Sequence, residues 1–154
     1  MNIVLQKNVA ALGALIRATA HAAATAGGTG DATTVTGVTI DRFNAAGGLA
    51  QSAEFGVPFE ATLASGATLS IGYAIQDSAD GSTWADYQTA TYAVVATGPS
   101  GGGAVSGLLS IPADLSSARR FTRLNYNPNL SAANTDTANS RGIGFLAGFD
   151  RLPA

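Results

Sequence analysis

Two hydrophobic periods divide the chain. Between residues 3 and 24 the apolar positions Leu5, Val9, Leu12, Ile16 and Ala20 recur at spacings of four, three, four and four. That spacing draws one stripe along a helix, and the abundance of Ala favours the same conformation. Lys7, Ala14, Arg17 and His21 fall on another face, so the segment predicts an amphipathic helix whose stripe must dock either on its own domain or on a neighbouring subunit. Residues 22–30, with Gly27, Gly28 and Gly30, predict a flexible connection.

From Thr33 onward the period is two. Residues 33–40 are rich in β-branched side chains, with Val38 and Ile40 on one side of the pleat. Phe55, Val57, Phe59, Ala61 and Leu63 alternate with smaller or polar residues, and beyond a Ser65-Gly66 turn Leu69, Ile71, Tyr73 and Ile75 do the same. These two runs predict a pair of antiparallel strands, with Pro58 at an edge or a bulge because it cannot donate a ladder hydrogen bond. After a turn at residues 77–82, Trp84 and Tyr87 open the next extended segment, and further strands are predicted at 92–96, 105–111, 118–126 and 141–149. Residues 98–103 and 127–140 read as long polar loops. Seven or eight short strands at nearly regular spacing predict a mainly β protein, an antiparallel β-sandwich over residues 31–154, behind an Ala-rich helical arm and Gly-rich linker at 1–30.

Composition adjusts this picture. The chain has 154 residues, enough for one core, and 31 of them are Ala. Charged residues make up 12%, about half the usual share, so the surface is polar without being charged. Weak self-repulsion suits a protein kept soluble by assembly. Net charge is −2 with a single Lys, which argues against nucleic acid, since that partner demands clustered cations. No apolar run is long enough for a membrane-spanning helix. Lys7, the apolar run from Val9 to Ile16 and the small residues that follow imitate a secretory signal, but Arg17 stands between the run and any cleavage site.

Chemistry is sparse. The chain has no Cys, which removes thiol catalysis, Cys-ligated metals and disulfides. Its one His, His21, lies in the Ala-rich segment, away from any Ser and acid that could complete a triad. Phosphate-binding glycine loops are missing as well. Asp77, Asp80 and Asp86 surround a turn and could offer oxygens to Ca²⁺, although turn capping explains them as well and their spacing is not that of an EF-hand. Glu54 and Glu60 share one strand face and read as solvated carboxylates rather than a hydrolytic pair. Trp84, Tyr73, Tyr87 and Tyr92 could form a sugar platform, but Tyr73 is in phase with the core and a lone Trp is usually a core anchor. Arg119, Arg120 and Arg123 form the one basic cluster, with Arg119 and Arg123 on one strand face. The expectation is a protein with no enzymatic activity and no cofactor.

Three segments resemble small virion proteins of tailed bacteriophages, namely capsid decoration or cement proteins. They are Val38-Thr39-Ile40-Asp41-Arg42-Phe43-Asn44-Ala45, Ile75-Gln76-Asp77-Ser78-Ala79-Asp80-Gly81-Ser82-Thr83-Trp84, and Gly148-Phe149-Asp150-Arg151-Leu152-Pro153-Ala154. The resemblance covers residues 33–96 and the C-terminus, and the Asp-Gly-Ser-Thr-Trp turn also occurs in tail and adhesion modules. It implies a structural protein on the capsid surface of a virion, with the major capsid protein and copies of itself as partners. A tail or head-fibre module and a secreted carbohydrate-binding sandwich are the alternatives. Candidate partner contacts are Leu5, Val9, Leu12 and Ile16 on the helical stripe, with Arg119, Arg120 and Arg123 supplying contacts to carboxylates.

Overall fold

Alternating side chains and long β-branched runs give nine strands arranged as two antiparallel sheets. The computed structural model describes residues 13–44, 48–131 and 135–150. Strands β1 (Ala14–Thr25), β9 (Thr137–Asp150), β4 (Gly48–Leu63) and β7 (Gly103–Asp114) lie side by side in that order, and the short β3 (Phe43–Asn44) pairs with the start of β4. The second sheet runs β2 (Ile40–Asp41), β8 (Phe121–Leu130), β5 (Thr68–Ser78), β6 (Ala85–Thr97). Inward residues of both sheets form one core: Phe55, Val57, Phe59, Ile111 and Leu146 from the first face Leu69, Ile71, Ile75, Leu124 and Tyr126 from the second. This is the β-sandwich that the period-two pattern predicts.

Among the described residues the expected helix is replaced by a strand. Residues 14–25 form a strand, β1, paired antiparallel with β9 from Ala14 opposite Leu146 to Thr25 opposite Thr137. The preference of Ala for helix is weak, and a ladder with a partner strand overrides it. Small residues suit this seam. Gly142 and Gly144 of β9 have no Cβ, and the space is taken by Thr19 and by Ile16 with Phe55. Between Arg17 and His21 the register slips, so that Ala18 and Thr19 are both buried; the Thr19 hydroxyl accepts the Gly142 amide at 2.6 Å. Of the proposed stripe, Leu5, Val9 and Leu12 lie outside the described residues, and Ile16 is half-buried against the sandwich.

Residues 26–31 form a fastened turn. Asp31 accepts the Gly27 amide at 2.8 Å with one carboxylate oxygen and the Leu130 amide at 2.9 Å with the other. The chain then runs along β8, where Val35 exchanges backbone hydrogen bonds with Tyr126, and crosses to the first sheet through the Val38 amide and the Ala18 carbonyl, 2.8 Å apart. At Gly37 it passes so close to the backbone of Leu124 that a Cβ would overlap the Leu124 carbonyl. Gly37→Ala should therefore lower stability by about 1–3 kcal/mol, measured by urea unfolding, because a backbone atom cannot rotate away.

The runs on either side of Ser65-Gly66 are strands, but they do not pair with each other. β4 has β7 and β9 as neighbours, while β5 lies in the opposite sheet between β6 and β8. The turn is an arch over the core, closed by Gly98, whose amide reaches the Ala67 carbonyl at 2.7 Å and whose carbonyl accepts the Gly66 amide at 3.2 Å. Pro58 lies in the middle of β4 rather than at an edge. Its missing N–H is accommodated by a gap in the β4–β9 ladder between Gly56 and Phe59, while pairing to β7 continues through Pro58 opposite Leu108. The expected loop at 127–140 is shorter, since β8 continues to Leu130 and β9 starts at Thr137.

Candidate functional site

The arginines of the cluster lie at the surface, each bonded to a different partner in its own chain. The Arg119 side chain holds Asp77 through Nε at 2.9 Å, its backbone amide reaches the same carboxylate at 2.8 Å, and Nη2 also reaches the Asp77 carbonyl at 3.0 Å. Arg120 grips Asp41 with two parallel bonds of 3.0 and 2.6 Å and lies over the rings of Phe121 and Phe43, 5.1 and 5.6 Å from their centroids. Arg123 donates to Gln76 at 2.8 Å and covers the Trp84 ring at 4.3 Å. Each guanidinium has a partner within its own chain, and the side chains of Arg119 and Arg120 remain 41% and 53% exposed. Trp84 accordingly lies half-buried beneath an arginine on the outside of the second sheet, not in the core.

These pairs have an acid signature. Hydrogen bonds from Arg119 hold Asp77 below the ordinary carboxylate range against the opposing cost of burial, and Arg120 does the same for Asp41. A depressed folded value means that the stabilisation is complete above the unfolded carboxylate range and is lost as the pH falls through the folded one. Asp77→Asn should lower stability at neutral pH by about 1.5–3 kcal/mol, and the gap from the parent should close on acidification. Denaturant titrations at a series of pH values measure both.

The three turn carboxylates go to different partners. Asp80 accepts the amides of Thr83 at 2.8 Å and Ser82 at 2.9 Å together with the Ser78 hydroxyl, and the two amides lead in holding it well below the ordinary range. Asp77 belongs to Arg119, and Asp86 accepts the Gln76 amide nitrogen at 2.7 Å. Capping of a turn through its own backbone describes Asp80 well. Among the described residues no group of three or more His, Cys, Asp and Glu stands within reach of one metal ion.

The aromatic residues do not assemble into one platform. Tyr87 turns toward β7, its hydroxyl donating to the Asp114 carbonyl at 2.6 Å, and Tyr73 points the same way, accepting Gln88 at 3.2 Å. Tyr92 lies on the outer face of the second sheet, over Gly72 and beside a groove of about 280 Å³ that Asn125 and Asn127 also line. Val94 follows on the same face, opposite Ser70, and is 61% exposed.

Sequence reasoning missed the outer face of the first sheet. Its rows follow from the register: Leu15, Phe145, Glu54 and Pro112; then Arg17, Ile143, Gly56 and Ser110; then His21, Arg141, Pro58 and Leu108. Leu15 is 77% and Leu108 58% exposed, and they flank the half-buried Ile143 and Phe145. Bases stand on β1 and β9, the acids Glu54 and Glu60 on β4, and among the described residues none of these five takes part in an ion pair. A strand misread as a helix conceals which of its residues share this face.

The candidate site is therefore a pair of exposed apolar patches on the outer faces of an antiparallel β-sandwich. No family model and no curated protein matches the chain. Among solved structures it is similar to the PBSX exported protein XepA, at 14% identity over 96% of this chain and 40% of that one, with a TM-score of 0.47. Infectious bursal disease virus, Gx strain, matches at 14% identity over 88% of this chain and 36% of that one, TM-score 0.43, and the VP2 subviral particle of the same virus at 14%, 88% and 32%, TM-score 0.40. The chain spans less than half the length of each.

Proposed function

We propose that this chain is a noncatalytic structural protein of a phage particle, seated on the outside of the capsid, where it holds neighbouring major capsid subunits together. The observation that carries the reading is that exposed large apolar side chains fall on two separate faces, Leu15 and Leu108 on the first sheet and Tyr92 and Val94 on the second. A bridging protein needs at least two contact surfaces, and many weak contacts made together become avid through effective concentration. The sparse charge and the resemblance of the three sequence segments to decoration proteins point the same way.

Electron microscopy of particles incubated with the purified protein tests this. Density on the outer capsid surface at subunit seams is the expected result; density on the tail would replace the capsid assignment with that of a tail or fibre module. Soluble protein that leaves particles bare would overturn both. Tyr92→Ser together with Val94→Ser should weaken particle binding by about tenfold or more, since truncating buried anchors commonly costs that much.

A further inference from the structure

We propose that the outer face of the first sheet is where two copies of this chain meet, packed sheet against sheet about a two-fold axis. This deepens the proposed structural role by assigning one of its two faces to a second copy, and it rests on that reading only for its setting. The argument is the distribution of charge and bulk across the four strands. Arg17, His21 and Arg141 lie on β1 and β9, while Glu54 and Glu60 lie on β4, toward the other side of the same face. An axis parallel to the strands, passing between β9 and β4, lays β1 of one copy over β7 of the other and β9 over β4.

That operation carries the basic half of each copy onto the acidic half of its partner, which is the self-complementarity an isologous contact requires. Glu60 comes over β9 one row from Arg141, and Arg17 comes over Ser110 of β7, one row and one strand from Glu54. The apolar residues correspond too. Leu15 meets the row end at Pro112, and Ile143 comes over the Gly56 row, beside a hollow of about 140 Å³ lined by Leu15, Glu54, Leu108 and Phe145. Sheets stacked in this way keep their strands nearly aligned. Among the described residues the face has no Lys, and Leu15 and Leu108 stand exposed on it.

Sedimentation equilibrium of the full chain, without particles, tests the proposal. The parent should be a dimer, and Leu15→Glu with Leu108→Glu should raise the dissociation constant by about a hundredfold while the circular dichroism stays that of the parent. The decisive arm uses two variants. One carries Arg17→Glu and Arg141→Glu, the other Glu54→Lys and Glu60→Lys; each alone should be monomeric and an equimolar mixture should form dimers. A monomeric parent would overturn the proposal, as would a dimer indifferent to the leucine changes or charge variants that do not recover on mixing. The outcome is separable from the functional reading: a monomeric parent whose leucine variant no longer binds particles would assign this face to the capsid protein, leaving the structural role intact.

Discussion

Replacing Arg42 with Leu should cost at least about 4 kcal/mol, enough to leave the protein marginal at room temperature. The Arg42 side chain is fully buried, at 0% exposure, at the junction of β2 and β3. Its Nε and Nη2 donate to the Ala50 carbonyl at 3.1 and 2.7 Å, and Nη1 donates to the carbonyls of Arg119, at 3.0 Å, and Ala118. Burial pulls its pKa below the ordinary arginine value, and no carboxylate bonds it directly; Asp77 acts on it only at a distance. One guanidinium thus satisfies three backbone carbonyls from β4 and from the approach to β8, which belong to different sheets. Removing it strands all three, each at about 1–3 kcal/mol, and a Leu cannot fill their hydrogen-bonding needs. Lys, a point donor on a flexible stem, should recover only part of the loss, because the fork geometry is what reaches carbonyls on two sides. Guanidinium unfolding of the three proteins measures the series. If the Leu variant stays within about 1 kcal/mol of the parent, the carbonyls have found water and Arg42 is no staple.

Arg42 also shows where sequence reading stops. A lone Arg between Asp41 and Phe43 looks like any surface cation, and nothing local reports that carbonyls 76 and 77 residues away close over it. The intrachain bonds of Arg119, Arg120 and Arg123 are hidden from the sequence for the same reason. Their partners Asp77, Asp41 and Gln76 lie 42, 79 and 47 residues distant, so proximity in sequence suggested a shared surface where the fold makes three separate internal bonds. The inward positions of β4 and β5 were legible, because burial on one side of a pleat writes itself into alternation. Which sheet each strand joins was not. The Ser65-Gly66 turn is compatible with a hairpin and with an arch, and the choice is made by β7 and β9 occupying both sides of β4.

The Ala-rich segment is the instructive error. Positions spaced for a helical stripe can also alternate locally: Ile16 and Ala18 turn inward while Leu15 and Arg17 turn outward. Ala contributes almost nothing to either pattern, so its helix propensity decided the reading, whereas in the folded protein pairing with β9 decides it. The cost extended to function. With β1 read as an arm that reaches a neighbour, Leu15 and Arg17 could not be placed beside Phe145 and Ile143, and the face they build with β9 was invisible.

That same seam gives the second large effect. Phe55 is fully buried at the centre of β4, opposite Gly144 of β9, and its ring edge would lie 3.0 Å from a Cβ placed on that glycine. Phe55→Ala should destabilise the protein by about 3–5 kcal/mol, through lost transfer energy and the cavity left behind. Gly144→Ala alone should also destabilise, by about 1–2 kcal/mol, since the new methyl presses on Phe55 and on Ile16 at 3.1 Å. Together the two changes should cost less than their sum by about 1 kcal/mol or more, because the methyl enters space that the ring has vacated. A double-mutant cycle in urea measures the coupling. Strict additivity would mean that Phe55 and residue 144 do not share a packing site, and with it would go the account of why β9 places glycines at 142 and 144 between β1 and β4.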